Sequence, residues 1–193
     1  MTGTSKVLSA VALVVLLLMA LAGALFAAGY AFSDLPLWLP VLESVIWLAI
    51  AIGLTFVVLR LPEVAVQVML AVTGVMVLLI VLDGTVGIFR RDELGPVVTV
   101  LLLAVLVPLA FLGLRRPVLA GLMLLVLAVV QFLSAGLIRG RFADGAPLGA
   151  VLGGSSGVVV LPTLLAAVLF LLAGYLAHDS WRLHPAHGAR MAH

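Results

Sequence analysis

Few side chains in this sequence carry chemistry, and they stand far apart. Asp83 closes the apolar run Leu78-Leu79-Ile80-Val81-Leu82, and Arg90 and Arg91 follow it within eight residues. Gln131 and Ser134 lie inside another apolar run, three residues apart and so on one face of a helix. Glu43 comes three residues after Pro40, and Arg139 and Arg141 follow the run that holds Gln131. A carboxylate, an amide and a hydroxyl, with guanidinium groups at the rim, can hold a small polar ligand by hydrogen bonds. Glu43, Asp83, Gln131, Ser134, Arg90, Arg91, Arg139 and Arg141 are therefore the candidate ligand-binding residues.

The same inventory argues against most catalysis. No histidine lies in an apolar run, which removes paired haem ligands and an intramembrane Ser–His couple. With no cysteine, there is no thiol nucleophile, disulfide or thiolate-bound metal. Asp83-Gly84 resembles the opening of the CDP-alcohol phosphotransferase signature, D-G-x-x-A-R, but Gly87-Ile88 stands where Ala-Arg is required and the later aspartates are missing. The stretch from Gly140 to Gly157 is glycine-rich but lacks the Lys-Ser/Thr ending of a phosphate loop. The four histidines, His178, His184, His187 and His193, are confined to the tail, where Pro185 breaks a shared helical face. No cofactor and no metal site is expected.

The elements that carry these residues follow from composition. The chain has 193 residues, 65% of them hydrophobic and 9% charged, against about 25% charged in an ordinary soluble domain. Such a chain cannot cover a water-facing surface, so its solvent is lipid. A bilayer core of about 30 Å takes roughly 20 apolar residues in a helix. Windows of that length without Lys, Arg, Asp or Glu recur from Val7 to Ser33, Ser44 to Leu59, Val64 to Leu82, Leu94 to Leu114, Pro117 to Ile138 and Gly145 to His178. Solid apolar runs favour helices over the alternating strands of a membrane barrel. The expected fold is an all-α, polytopic membrane protein: one integral domain, a six-transmembrane-helix bundle with spans near 7–29, 41–59, 63–83, 97–114, 117–138 and 157–177, and a short tail over 178–193. The first apolar run is about twice a usual signal-peptide core, so a retained helix is expected.

Two turns share a pattern. Leu59-Arg60-Leu61-Pro62 and Leu114-Arg115-Arg116-Pro117 both read L-R-x-P, and the loops from Gly29 to Pro36 and Gly87 to Pro96 both place an Asp five residues after Gly, followed by Leu and later Pro. Repeated helical hairpins in one orientation would produce this pattern. Helix caps alone would too, because Gly ends helices and Pro starts them. Basic residues divide into Lys6, Arg60, Arg115, Arg116, Arg182 and Arg190 on the side of the N-terminus and Arg90, Arg91, Arg139 and Arg141 on the other. The heavier side is expected to be cytoplasmic, with both termini there. The Val/Leu/Ala/Gly/Arg-rich, lysine-poor composition points to a bacterial plasma membrane.

Individual residues carry further expectations. Ala20, Ala24 and Ala28, with Gly23 and Ala27 beside them, form a small-residue stripe for close helix packing. Pro108 and Pro162 bend their helices. Glu43 and Glu63 fit the first turns of the second and third helices, where the helix dipole favours a carboxylate. Gln67 and Gln131 seek hydrogen-bond partners on neighbouring helices. Asp83 has two placements: a helix end at the membrane edge, with Gly84 as a left-handed cap, or a helix continuing through Val86, Ile88 and Phe89. The first is the expectation.

Two functions fit this inventory. The scarcity of polar groups favours a non-catalytic subunit or scaffold of a membrane complex, with the bilayer and a membrane protein or second copy as partners and no nucleic acid. The alternative is a small-molecule carrier, or substrate-capture subunit of a transporter, with an outward-facing site.

Overall fold

The structure, a computed structural model, describes residues 3–34, 38–86, 97–134 and 155–182, with side chains described over 3–25, 38, 41–42, 44–86, 101–134 and 159–177. Those residues are helical and contain no strand. The helices are α1 (Gly3–Asp34), α2 (Trp38–Arg60), α3 (Pro62–Val86), α4 (Val97–Arg115), α5 (Pro117–Leu133) and α6 (Ser155–Arg182). Each overlaps one expected span. Three of them are long and apolar enough, over Gly3–Leu25, Pro62–Val86 and Val159–Ala177, to cross a membrane.

Helix α4 sits at the centre. It packs against α1, α2, α3 and α5, and Phe170 of α6 lies over its Gly113. The other five close a ring in the order α1, α2, α3, α5, α6 and back to α1. From Leu102 to Leu106, and again from Pro108 to Ala110, every residue of α4 is buried. A helix that is apolar all round belongs in such a position. Pro108 lies within α4 and Pro162 within α6. The residue after Pro162, Thr163, donates its hydroxyl to the carbonyl of Val159 at 2.7 Å, a local bond of the kind that accompanies helix bends.

Close contacts concentrate at small residues. A Cβ at Gly23 of α1 would come within 2.6 Å of Leu103 Cδ1, and one at Gly121 of α5 within 3.0 Å of the Ala167 carbonyl of α6. Gly113 meets the ring of Phe170, and Gly174 meets Val118. Ser5 donates its hydroxyl to the Ala173 carbonyl at 2.7 Å, pinning α1 to α6. The α1 stripe is thus used within the chain: Ala20 is buried, and Gly23 seats on α4. Ala24 is half-buried, and the side chains of Ala27 and Ala28 lie outside the described residues. By contrast, a Cβ at Gly53 of α2 or Gly74 of α3 would meet nothing within 4 Å. Helices α1, α4, α5 and α6 form a tight group through these contacts; both open glycines face outward, and α2 packs on α4 by its other side, where Ala51 and Val58 are buried.

The two L-R-x-P turns share two backbone hydrogen bonds. Leu61 N–H donates to Val57 O at 2.9 Å and Ala65 N–H to Leu61 O at 2.9 Å; Arg116 N–H donates to Leu112 O at 2.8 Å and Ala120 N–H to Arg116 O at 3.1 Å. The acceptors move from 57 to 112 and the donors from 65 to 120, a common shift of 55. The buried positions Ala65, Met69 and Thr73 of α3 map by that shift onto Ala120, Leu124 and Ala128 of α5, all buried. Arg115 joins the turns side by side, donating from Nη1 to the Val58 carbonyl at 3.1 Å. Helices α3 and α5 therefore start at one end of the bundle and run in the same direction.

Gly113→Ala should destabilise the protein by about 1–3 kcal/mol, because the added methyl overpacks against the fully buried Phe170 ring. Gly74→Ala should instead be neutral or gain about 0.5–1 kcal/mol from helix propensity. Thermal unfolding in detergent compares them, and partial recovery of Gly113→Ala by Phe170→Leu would identify the ring as the obstacle. Arg115→Ala should cost about 1 kcal/mol, through its partly exposed bond to Val58. Arg60→Ala, at the matching exposed position, should cost less in the same assay.

Candidate functional site

Helix α3 turns one continuous stripe into the bundle: Ala65, Met69, Thr73, Met76, Ile80, Asp83 and Gly84. The steps of three and four residues are those of a single helical face. Asp83 is 6% exposed. This corrects the expectation of a helix end at Asp83-Gly84. The helix continues through Val86, so Gly84 is a buried helical residue rather than a left-handed cap, and Asp83 is turned inward. At 1.5 Å per residue Asp83 stands about 31 Å along the axis from Pro62, at the far end of α3 but on its packed side.

Ser134 follows α5 with right-handed helical angles, φ −60° and ψ −44°, and its N–H bonds back to Val130 and Gln131 carbonyls. Its buried hydroxyl donates to the Ile80 carbonyl at 3.3 Å. That bond joins α3 and α5 one turn before Asp83. The structure thus brings together the ends of α3 and α5 that carry Asp83 and Ser134, 51 positions apart in sequence.

Gln131 lies one turn back along α5, and its Oε1 is buried with no hydrogen-bond partner among the described residues. Thr73 Oγ1 on the α3 stripe is in the same state, as are Trp47 Nε1 and Thr55 Oγ1 of α2 and Ser9 Oγ of α1. Thr73 and Trp47 were not among the residues singled out from sequence. A threonine and a tryptophan inside apolar runs give no signal until the packed face of each helix is known.

The other candidates fall differently. Helix α2 begins at Trp38, so Glu43 stands in its second turn rather than its first; its side chain lies outside the described residues, as do Arg90, Arg91, Arg139 and Arg141 entirely. Glu63 occupies the first turn of α3 as expected and is exposed. Gln67 is a correction. It was expected to bond across to a neighbouring helix, yet it is exposed on the outward face of α3, in line with Ala71 and Gly74. Among the described residues no group of three His, Cys, Asp or Glu could hold a metal. The tail histidines His184, His187 and His193 lie outside them.

No protein-family model, no curated protein and no solved structure matches the chain.

Ser134→Ala should cost about 0.6 kcal/mol, the usual size of an interhelical hydrogen bond in a membrane bundle. Thr85→Ala should cost nothing measurable. The Thr85 hydroxyl is exposed and returns to its own helix, to Val81 O at 2.9 Å. Denaturation of the two variants in the same detergent makes the comparison.

Proposed function

We propose that this protein is a non-catalytic subunit of a membrane complex, with all six helices spanning a bacterial plasma membrane and both termini in the cytoplasm. The observation that carries this reading is the outward face of α3. Gln67 places an amide on the exposed side of α3, about 7 Å along the axis from Pro62, with Ala71 and Gly74 above it. Lipid offers an amide no partner, whereas a neighbouring transmembrane helix offers both a hydrogen bond and close approach at the small residues. Gly53 on α2 is equally open. The apolar, fully packed α4 supports the same reading, since no polar group is described along its buried length from Leu101 to Gly113.

The partner is a membrane protein or a second copy of the chain. Solubilised in mild detergent from its own membrane, the protein should run on native gels as an assembly larger than one chain. Gln67→Leu combined with Gly74→Leu should release the single chain, while Leu18→Ala combined with Leu25→Ala, on the exposed side of α1, should not. A single chain under every mild condition contradicts the reading. The charge distribution adds an orientation test: a reporter fused after His193 should show cytoplasmic activity only.

A carrier with an outward-facing site is the second reading, favoured by one observation, the unpartnered Gln131 and Thr73 oxygens on the α3–α5 side. Its candidate ligand residues are those named from sequence. Loss of uptake of a solute on Asp83→Asn, with assembly intact, would select it over the scaffold.

A further inference from the structure

The ring helices differ in what they turn outward. On α1 the exposed stripe is Val7, Val11, Val14, Leu18, Leu21 and Leu25, and on α5 it is Val118, Leu122, Val126, Val129 and Leu133. Large apolar groups of that kind suit a lipid solvent. The matching stripe of α3 opens with Val64, Gln67, Ala71 and Gly74, all exposed, and only then reaches Leu78 and Val81. Ala71 and Gly74 let another helix backbone come close. Gln67, one turn below them, makes no hydrogen bond among the described residues. An approach site and an unused amide thus stand together on one side of one helix.

The chemistry of that side favours a second copy over a different protein. Two copies inserted in one orientation are related by an axis along the membrane normal, so their α3 helices run parallel and each residue on the axis meets its own counterpart. Such a face must complement itself. A charge there would meet a like charge, and no charged residue stands on the outward stripe from Val64 to Val81. An amide donates through its NH2 and accepts through its carbonyl, so Gln67 pairs with Gln67 of the second copy by two reciprocal bonds. At the turn end, Arg60 and Glu63 are exposed and neither has an ion-pair partner among the described residues. A two-fold axis offers the Arg60 of each copy the Glu63 of the other, opposite charges in both directions.

We propose that the outward face of α3 is the contact between two copies of this chain, with the two α3 helices parallel, crossing at Ala71 and Gly74 and joined by the Gln67 pair. This rests on the complex-subunit reading above and names its partner. One polar residue in an apolar seam fixes the register of the pair, as a lone asparagine does in a coiled coil. Beyond Gly74 the stripe turns to Leu78 and Val81, large residues at which the helices part and meet lipid.

The chain has no cysteine, so in vesicles holding this protein alone a single introduced cysteine pairs only with its own copy. A disulfide needs Cα atoms within about 7 Å, which the crossing provides and the rest of the surface does not. On oxidation with copper phenanthroline, Ala71→Cys and Gly74→Cys should form covalent dimers at least about tenfold faster than Leu78→Cys and Leu18→Cys, which are exposed but lie off the crossing. Adding Gln67→Leu to Gly74→Cys should slow its dimer to the rate of those controls. Where Ala71→Cys fails to insert, Gly74→Cys carries the comparison. Equal rates at all four positions overturn the proposal. If native gels from the protein's own membrane then still show an assembly larger than one chain, the face holds a different membrane protein and only the second copy is lost. A single chain in those gels removes the complex-subunit reading as well.

Discussion

In the proposed membrane setting everything in this bundle depends on how closely helix backbones can approach, because lipid removes the force that holds soluble helices together. Lipid tails are as apolar as leucine, so cohesion comes from dispersion at short range and from the occasional interhelical hydrogen bond. Glycine decides where that range is reached. At Gly23, Gly113, Gly121 and Gly174 a neighbouring side chain or carbonyl occupies the space of the missing Cβ. These contacts tie α1, α5 and α6 to each other or to α4, and α4 consequently has little surface left to expose. At Gly53 and Gly74, which face outward, the space is open.

That difference divides the molecule by role. The tight group gives a rigid support, since packed small-residue interfaces admit little adjustment. The α2–α3 hairpin is held by the packing of α2 on α4, by the Arg115–Val58 bond and by the buried stripe of α3. The stripe carries Thr73 and Asp83 inward, and the opposite face carries Gln67 outward. One helix therefore presents polar groups to two environments: a seam with α5 on one side and the membrane on the other. The shift of 55 between the two turns shows one local geometry used twice, yet α4 of the second hairpin is central while its counterpart α2, like α3 and α5, stands in the ring.

The positions of the helices were legible because a charge-free window of membrane length has few alternatives, and the two turns were legible because L-R-x-P fixes where one helix stops and the next starts. The faces were not. In a soluble helix the apolar side marks the core, but here core and lipid are both apolar and that contrast vanishes. Asp83 was assigned to a helix end because glycine follows it, and glycine is a common cap. A buried helical glycine is equally acceptable where a neighbour comes close, and sequence does not distinguish the two. Gln67 and Gln131 illustrate the same limit: identical side chains inside similar runs, one turned outward and one with its oxygen buried.

The central claim is that α4 is shielded from lipid by the other five helices. A hydrophobic photoreactive probe dissolved in the bilayer, with labelled sites mapped by mass spectrometry, tests it directly. Label should fall on Leu18, Ile52, Phe56, Leu78, Leu165 and Leu172, all exposed on the ring helices, and should be missing from Leu102 through Leu112. Labelling of α4 at the level of those ring positions would contradict the account.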